Sequence, residues 1–91
     1  MELLDGAAID ESLAQIAWTR DSEALVKVVR RHDFADALRF VNEVGLLAEE
    51  AGHHPDVDIR WDTVTLRLST HSLGGITDAD VALAARIDAL L

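Results

Sequence analysis

The sequence predicts an α+β fold with two layers, a four-stranded antiparallel sheet and three helices packed on one face of it. Ninety-one residues, 49% hydrophobic and 27% charged, suit a single globular domain over residues 1–91. Apolar residues recur every third or fourth position in three stretches, which indicates helices, and every second position in two others, which indicates half-buried strands. The resulting order of helix, hairpin, helix, hairpin, helix supplies four strands, and one sheet face gives the helices a place to bury their apolar sides.

The first helix is predicted over residues 5 to about 16, with Asp5 as its N-cap. A polar turn over Thr19–Ser22 follows Trp18, and a strand over Ala24–Arg31 forms a hairpin with the segment at Trp18. The register of this strand stays open, because period two fits two sets of apolar residues equally well: Leu25 and Val29, or Val26 and Val28.

The longest helix begins at the N-cap Asp33, supported by Asp36, and ends at Gly52, a residue type that favours helix C-caps. A broad apolar stripe runs along it: Phe34, Ala37, Leu38, Val41, Val44, Leu47, Ala48 and Ala51. Phe40 and Leu46 fall outside the centre of the stripe. They hint at contacts between subunits, although a wide core would also explain them.

The second hairpin is predicted from two alternating strands, Val57–Trp61 and Val64–Thr70. A two-residue loop, Asp62-Thr63, would place Trp61 opposite Val64 on the buried face. The other sheet face would carry Thr63, Thr65 and Arg67 and remain wet. After a flexible loop at Gly74-Gly75, Thr77 is predicted to cap the last helix, with Asp80 as the acid of a capping box.

Charge and composition exclude several classes of function. A formal net charge of −9 repels phosphate backbones and argues against direct binding of nucleic acid. The absence of cysteine excludes disulfides and thiolate chemistry. No apolar run is long enough for a membrane span, and the acidic N-terminus lacks the basic start of a signal peptide. A cytoplasmic protein without a membrane partner is therefore expected.

Three of the four histidines lie between the end of the long helix and the start of the last one: His53, His54 and His71. Imidazole exchanges a proton near neutral pH, so this group indicates proton transfer. Taken singly, each histidine is more often a surface or structural residue. No metal site is predicted, because the H-x-H and H-x-x-x-H spacings are absent. No nucleophile elbow and no phosphate-binding glycine loop is present.

Two carboxylates are candidates for orienting these histidines. Glu49 lies four residues before His53 and could orient that imidazole, or it belongs to a solvated acidic face. Asp80 is either a plain capping residue or a partner that fixes the tautomer of a histidine.

The spacing of these residues resembles the pterin-4a-carbinolamine dehydratases over about Leu13 to Leu90. The resemblance centres on Glu49, His53-His54-Pro55, Trp61, His71 and Asp80, at the spacing of the motif of active family members. Thr70-His71, Gly74-Gly75, Thr77 and Ala84 also look like the family pattern.

The resemblance implies a hydro-lyase that dehydrates 4a-hydroxytetrahydropterin to quinonoid dihydropterin and recycles the cofactor of aromatic amino acid hydroxylases. It implies His53 and His71 as the acid/base pair, with His54 as a third residue of the catalytic set that mainly holds the pterin. Pro55, Trp61 and Thr70 would contribute to substrate binding, and Glu49 and Asp80 would orient the histidines. The pterin is the substrate, and neither a metal nor a bound cofactor is implied.

Family resemblance also implies a homodimer or homotetramer. The alternative function is a non-enzymatic interaction module, because some family members are dimerisation partners of a transcription factor or assist protein assembly. A purely scaffolding relative would be free to lose a histidine, and none is missing in this chain.

Overall fold

The computed structural model describes all residues from 1 to 91 and contains three helices and four strands. The helices are α1 (Gly6–Leu13), α2 (Phe34–Ala51) and α3 (Asp78–Asp88). The strands are β1 (Thr19–Asp21), β2 (Ala24–Arg30), β3 (Asp56–Arg60) and β4 (Thr63–Leu68). The predicted α+β class and order of elements are confirmed. No helix in the structure is both long and apolar enough to cross a membrane.

All neighbouring strands are antiparallel, in the order β1-β2-β4-β3. The two hairpins therefore meet through β2 and β4, and the second hairpin places β3 at an edge. Since β4 is central, its inward residues Val64, Leu66 and Leu68 are fully buried. Thr63, Thr65 and Arg67 alternate with them on the other face and are only half-buried, which agrees with the predicted wet face.

One hydrophobic core joins the sheet to the helices. Fifteen buried residues form a single cluster that includes Ile9 of α1, Phe40 and Val44 of α2, and Leu83 and Ile87 of α3. All three helices contribute to the same cluster as the buried side chains of β2 and β4. The apolar faces of the helices are therefore buried against one side of the sheet.

The first hairpin differs from its prediction in the position of its turn. Thr19–Asp21 is strand β1 rather than part of the turn, and the reversal occurs at Ser22, whose φ of 57° is left-handed. The structure also resolves the open register of β2. Leu25 and Val29 are buried, whereas Val28 is 63% exposed.

The predicted loop of the second hairpin is wrong by one residue, which shifts the partner of Val64 by two. Thr63 belongs to β4, and Ile59, not Trp61, is the partner of Val64. The loop is Trp61-Asp62, with Trp61 at a φ of 55°. Asp62 anchors this turn, because its carboxylate accepts hydrogen bonds from Arg30 and Thr63 while its backbone carbonyl accepts one from the Arg31 amide.

Helix α2 has both predicted caps. The Asp33 carboxylate accepts a hydrogen bond from the Asp36 amide at 2.8 Å, and Gly52 ends the helix at a φ of 62°. The predicted apolar stripe is displaced, however. Phe40 is buried and belongs to the core, whereas Phe34 and Leu38 are 49% and 41% exposed.

Candidate active site

A polar cleft of about 250 Å³ opens where the end of α2 meets the end of β4. Seven residues line it, none of them hydrophobic: Gly52, His53, His54, Ser69, Thr70, His71 and Ser72. The fold brings these segments together because β3 begins two residues after His54 and pairs antiparallel with β4, so the start of β3 lies beside the end of β4. All three predicted histidines therefore share one cleft.

The turn at Gly52 aims the first two histidines. The left-handed backbone of Gly52 breaks α2, and the His53 amide still donates to the Ala48 carbonyl at 3.1 Å. His53 consequently folds back toward the core, with only 16% of its side chain exposed. His54 points outward, with 62% of its side chain exposed. Adjacent residues in extended geometry diverge in this way.

His53 is held by a fully buried carboxylate. Its Nε2 lies 2.5 Å from Oδ1 of Asp80, a short contact between two ionisable groups. The side chain of Asp80 has no exposed surface. The orienting role suggested for Asp80 is therefore supported by direct contact with one of the cleft histidines.

The second oxygen of Asp80 serves the helix that carries it. Oδ2 accepts the Thr77 amide at 2.9 Å, which completes the predicted capping box at the start of α3. It also accepts the Thr70 hydroxyl at 2.8 Å. The two alternatives considered for Asp80 are thus combined, because one oxygen caps the helix while the other contacts His53.

Glu49 contacts a different histidine from the one expected. Its Oε2 lies 2.6 Å from Nε2 of His54, and no hydrogen bond or ion pair joins its carboxylate to His53. The expectation from the four-residue spacing was wrong because the helix ends at Gly52, which takes His53 off the helical surface. Since both partners of the Glu49–His54 pair are exposed, water screens their interaction.

His71 sits in the short loop after β4. The Thr70 amide donates to the Gly75 carbonyl at 2.7 Å and the Gly74 amide donates back to the Thr70 carbonyl at 2.9 Å, which closes this loop. His71 is exposed, and its ring makes no hydrogen bond to the protein. A bound molecule could therefore use either ring nitrogen.

The remaining predicted site residues have different positions. Pro55 is half-buried and immediately precedes β3. Thr70 borders the cleft, but it is only 6% exposed and its hydroxyl proton is directed to Asp80. Trp61 lies in the turn at the far end of β3, is 68% exposed and does not line the cleft. Sequence reasoning placed it at or near the pocket, and the structure does not bring it there.

A second cleft, of about 330 Å³, lies beside β1 and β2. It is lined by Ala17, Trp18, Thr19, Val26, Lys27 and Val28. Its one ionisable side chain, Lys27, is already paired with Asp88 at 3.1 Å. No group of three or more His, Cys, Asp or Glu side chains in the chain could hold a metal ion. The histidine cleft is therefore the candidate active site.

Comparison with known proteins places this geometry in a family. The sequence profile of a family described as pterin 4 alpha carbinolamine dehydratase matches residues 2–90. A protein of Roseiflexus castenholzii, provisionally named pterin-4-alpha-carbinolamine dehydratase, is 49% identical over 98% of this chain and 97% of its own length. A protein of Nocardia farcinica with the same provisional name is 47% identical over 98% and 95% of the two chains.

Two solved structures share the fold. A transcriptional coactivator/pterin dehydratase of Brucella melitensis superposes with a TM-score of 0.93 at 28% identity, over 98% of both chains. A pterin dehydratase-like protein identified as a RuBisCO assembly factor in the alpha-carboxysome gives a TM-score of 0.66 at 26% identity, over 82% of this chain and 87% of its own. Profile, full-length identity and fold agree: the chain belongs to the pterin-4-alpha-carbinolamine dehydratase family.

Proposed function

We propose that this protein is a hydro-lyase that converts 4a-hydroxytetrahydropterin to quinonoid dihydropterin and water. The observation that carries the proposal is the convergence of three imidazoles on one polar cleft, one of them fixed by a wholly buried carboxylate. Proton transfer by positioned imidazoles is the catalysis that a poor leaving group such as hydroxide requires.

The reaction breaks the C4a–oxygen bond and removes a proton from N5. A general acid must protonate the departing hydroxyl so that it leaves as water, while a general base accepts the N5 proton and the electron pair forms the C4a–N5 double bond. We assign these two roles to His53 and His71 as a pair. His53 is oriented by Asp80, and His71 has both ring nitrogens free for substrate.

His54 has a position suited to holding the pterin. Its ring lies at the cleft but is tied to the exposed Glu49 rather than to a buried group. We propose that His54 chiefly binds the substrate and that Pro55 shapes the turn that presents it. The assignment needs no metal and no bound cofactor, because imidazoles supply both the acid and the base.

A stopped-flow dehydration assay tests this function. A pterin-dependent aromatic amino acid hydroxylase generates the 4a-hydroxy pterin, and the purified chain is added at several concentrations. We expect an acceleration proportional to protein. His53→Ala and His71→Ala should each lower kcat by roughly 10²-fold or more, the usual contribution of general acid–base catalysis. His54→Ala should chiefly raise KM.

The fourth histidine provides the matched control. His32 is exposed before α2 and does not line the cleft. His32→Ala should therefore retain wild-type kinetics. The assignment of the acid/base pair fails if the three cleft variants behave like the His32 variant, and the enzyme itself fails if the folded wild-type chain gives only the spontaneous rate.

A second candidate function is a protein-interaction role. Two proteins that share the fold are a transcriptional coactivator/pterin dehydratase and a RuBisCO assembly factor. The exposed apolar side chains Phe34, Leu38 and Leu46 on α2 give this chain a surface for protein contacts. We propose that this surface joins subunits into a homodimer or homotetramer. We also propose that the protein recycles the pterin cofactor of an aromatic amino acid hydroxylase and that it is cytoplasmic.

A further inference from the structure

A buried polar network lies behind His53, on the side away from the cleft. Asp80 and Thr77 are fully buried and Thr70 is 6% exposed. The hydroxyl oxygens of Thr70 and Thr77 are 2.8 Å apart, and the Thr70 hydroxyl lies 2.8 Å from Oδ2 of Asp80. No buried polar side-chain atom in the chain lacks a hydrogen-bond partner. The network is therefore complete without any further group.

The available protons fix the direction of the hydrogen bonds in this network. A carboxylate only accepts, so the contact between Thr70 and Asp80 uses the single proton of the Thr70 hydroxyl. The contact between the two hydroxyls must then use the proton of Thr77. The Thr77 oxygen accepts in turn from the Ala79 amide at 3.2 Å, in the first turn of α3. The chain of donors thus runs from the amino end of α3 through Thr77 and Thr70 to Asp80.

Other acceptors for the Thr77 proton are more distant. The sulfur of Met1 is 3.4 Å from its oxygen, and Oδ2 of Asp80 is 3.5 Å away. Sulfur is also a weak acceptor. The 2.8 Å contact with Thr70 is therefore the favoured one.

The direction of the chain determines which atom of His53 carries a proton. Oδ2 of Asp80 is filled by two donors, the Thr70 hydroxyl and the Thr77 amide. These donors stabilise the carboxylate anion in a buried site, where an unpaired charge would be costly. Facing an anionic Oδ1, Nε2 of His53 must be the donor. Its Nδ1 then remains as the ring nitrogen without a protein partner.

We propose that Thr70 and Thr77 are positioning residues that act through Asp80 to hold His53 in its Nε2–H tautomer, leaving Nδ1 to exchange protons with the substrate. This deepens the proposed dehydratase function and rests on it for the role of His53. It also replaces the predicted substrate-binding role of Thr70, since the hydroxyl proton of that residue is directed into the protein. Thr77 and Asp80, the two side chains of the capping box, would thus also position a histidine of the cleft.

The tautomer is measured first on the unliganded wild-type protein. Long-range proton–nitrogen correlation spectra of the histidine rings, recorded with rising pH until the ring signals stop changing, distinguish Nε2–H from Nδ1–H. The expected result is a predominantly Nε2–H ring for His53, assigned by comparison with His53→Ala. A predominantly Nδ1–H ring would overturn the proposal, and this measurement needs no variant of the network.

Two substitutions at Thr70 then test the hydroxyl itself. Thr70→Val preserves shape and removes the donor, while Thr70→Ser preserves the donor. In Thr70→Val we expect a mixture of His53 tautomers and a loss of about tenfold in kcat with KM nearly unchanged, the size of one charge-assisted hydrogen bond. Thr70→Ser should restore both readouts. A loss of kcat with KM nearly unchanged is the informative result, because a merely structural or substrate-binding Thr70 would not produce it.

The results that would refute the positioning role can be distinguished from a lack of dehydratase activity. A folded Thr70→Val protein with a wild-type ring spectrum and wild-type kcat would refute the positioning role. So would a raised KM with unchanged kcat, which would return Thr70 to substrate binding. If the wild-type chain does not dehydrate the pterin at all, the proposed function fails, and the ring spectra still decide whether the hydrogen-bond chain exists.

Discussion

His53 and His54 are neighbours in the sequence and have opposite surroundings. One contacts the buried carboxylate of Asp80, and the other contacts the exposed carboxylate of Glu49. The two pairs have similar short distances but should contribute differently to stability. Water screens the exposed Glu49–His54 pair. In the buried His53–Asp80 pair, loss of one partner would leave the other without a compensating group. The distances alone do not show this difference.

Neutralising the two carboxylates should expose the contrast. Asp80→Asn should lower the free energy of unfolding by about 3 kcal/mol, the loss typical of a broken buried pair, and should also reduce kcat. Glu49→Gln, the matched control at an exposed carboxylate, should leave stability nearly unchanged and mainly affect KM through His54. Urea unfolding followed by circular dichroism measures the first effect. Equal losses of stability in the two variants would contradict this account.

The sequence predicted that His53, His54 and His71 belong together, and they share one cleft, but it did not predict all of their partners. The T-x-x-D pattern predicted the capping box of Thr77 and Asp80, because capping is a local effect. The partner of Glu49 depended on how far the chain turns at Gly52, which spacing alone does not give. Asp88, which accepts hydrogen bonds from the Ala17 amide and the Trp18 ring, is about 70 positions away in sequence and left no local signal.

At the scale of elements, α2 carries two glycines with opposite requirements. Gly52 is its C-cap, with a φ of 62°, and a Cβ there is strained whatever the free space. Gly45 is in the helix interior, and a Cβ added to it would meet nothing within 4 Å. Gly45→Ala should therefore stabilise the protein by roughly 0.5–1 kcal/mol through helix propensity, whereas Gly52→Ala should destabilise it. Thermal unfolding of the two variants tests this pair, and shifts of the same sign would contradict it.

The junction between β2 and α2 should make stability depend on pH. The pKa of Asp36 is lowered from its usual 3.8, first by a hydrogen bond from the His32 amide and then by one from Arg31. A folded-state pKa below the unfolded value means that the unfolded chain binds the proton more readily. This carboxylate therefore stabilises the fold fully above about pH 4, and the contribution is lost as pH falls through the lowered pKa.

Asp36→Asn should consequently lower the melting temperature at neutral pH, and the difference from wild type should shrink below about pH 4. Asp10→Asn is the matched control, because Asp10 is exposed in α1 and its carboxylate has no hydrogen-bond partner. It should melt like wild type at every pH. A melting difference for Asp36→Asn that stays constant down to strongly acidic pH would refute the electrostatic cause.

The turn between β3 and β4 contains a similar carboxylate and explains why that hairpin was misplaced. Burial alone raises the pKa of Asp62, but hydrogen bonds from Thr63 and Arg30 outweigh it and the net shift is downward. These contacts come from β4 and from the distant β2, so they fix the turn at Trp61-Asp62. The alternation pattern assigned Trp61 to the strand because a large apolar residue usually packs inward.

At the scale of the molecule, the alternating and periodic patterns predicted the fold because they reflect the two-layer burial of one core. Surface properties were less predictable. Phe40, read as a hint of subunit contacts, packs in the core with its ring 5.1 Å from the Arg31 guanidinium. The apolar residues that remain exposed on α2 are Phe34, Leu38 and Leu46, at 49%, 41% and 70%. Phe34 and Leu38 are four residues apart and therefore lie on one side of the helix.

That exposed side of α2 predicts self-association. Large apolar side chains grouped on one surface favour a protein partner, and a second copy is consistent with the proposed homodimer or homotetramer. Light scattering coupled to size exclusion should give a mass above that of one 9.9 kDa chain for the wild type. Leu38→Glu should lower that mass by placing a charge in the contact, while Ala82→Glu, which adds the same charge to an exposed position of α3, should not. A monomeric wild type, or equal behaviour of the two variants, would show that α2 does not join the subunits.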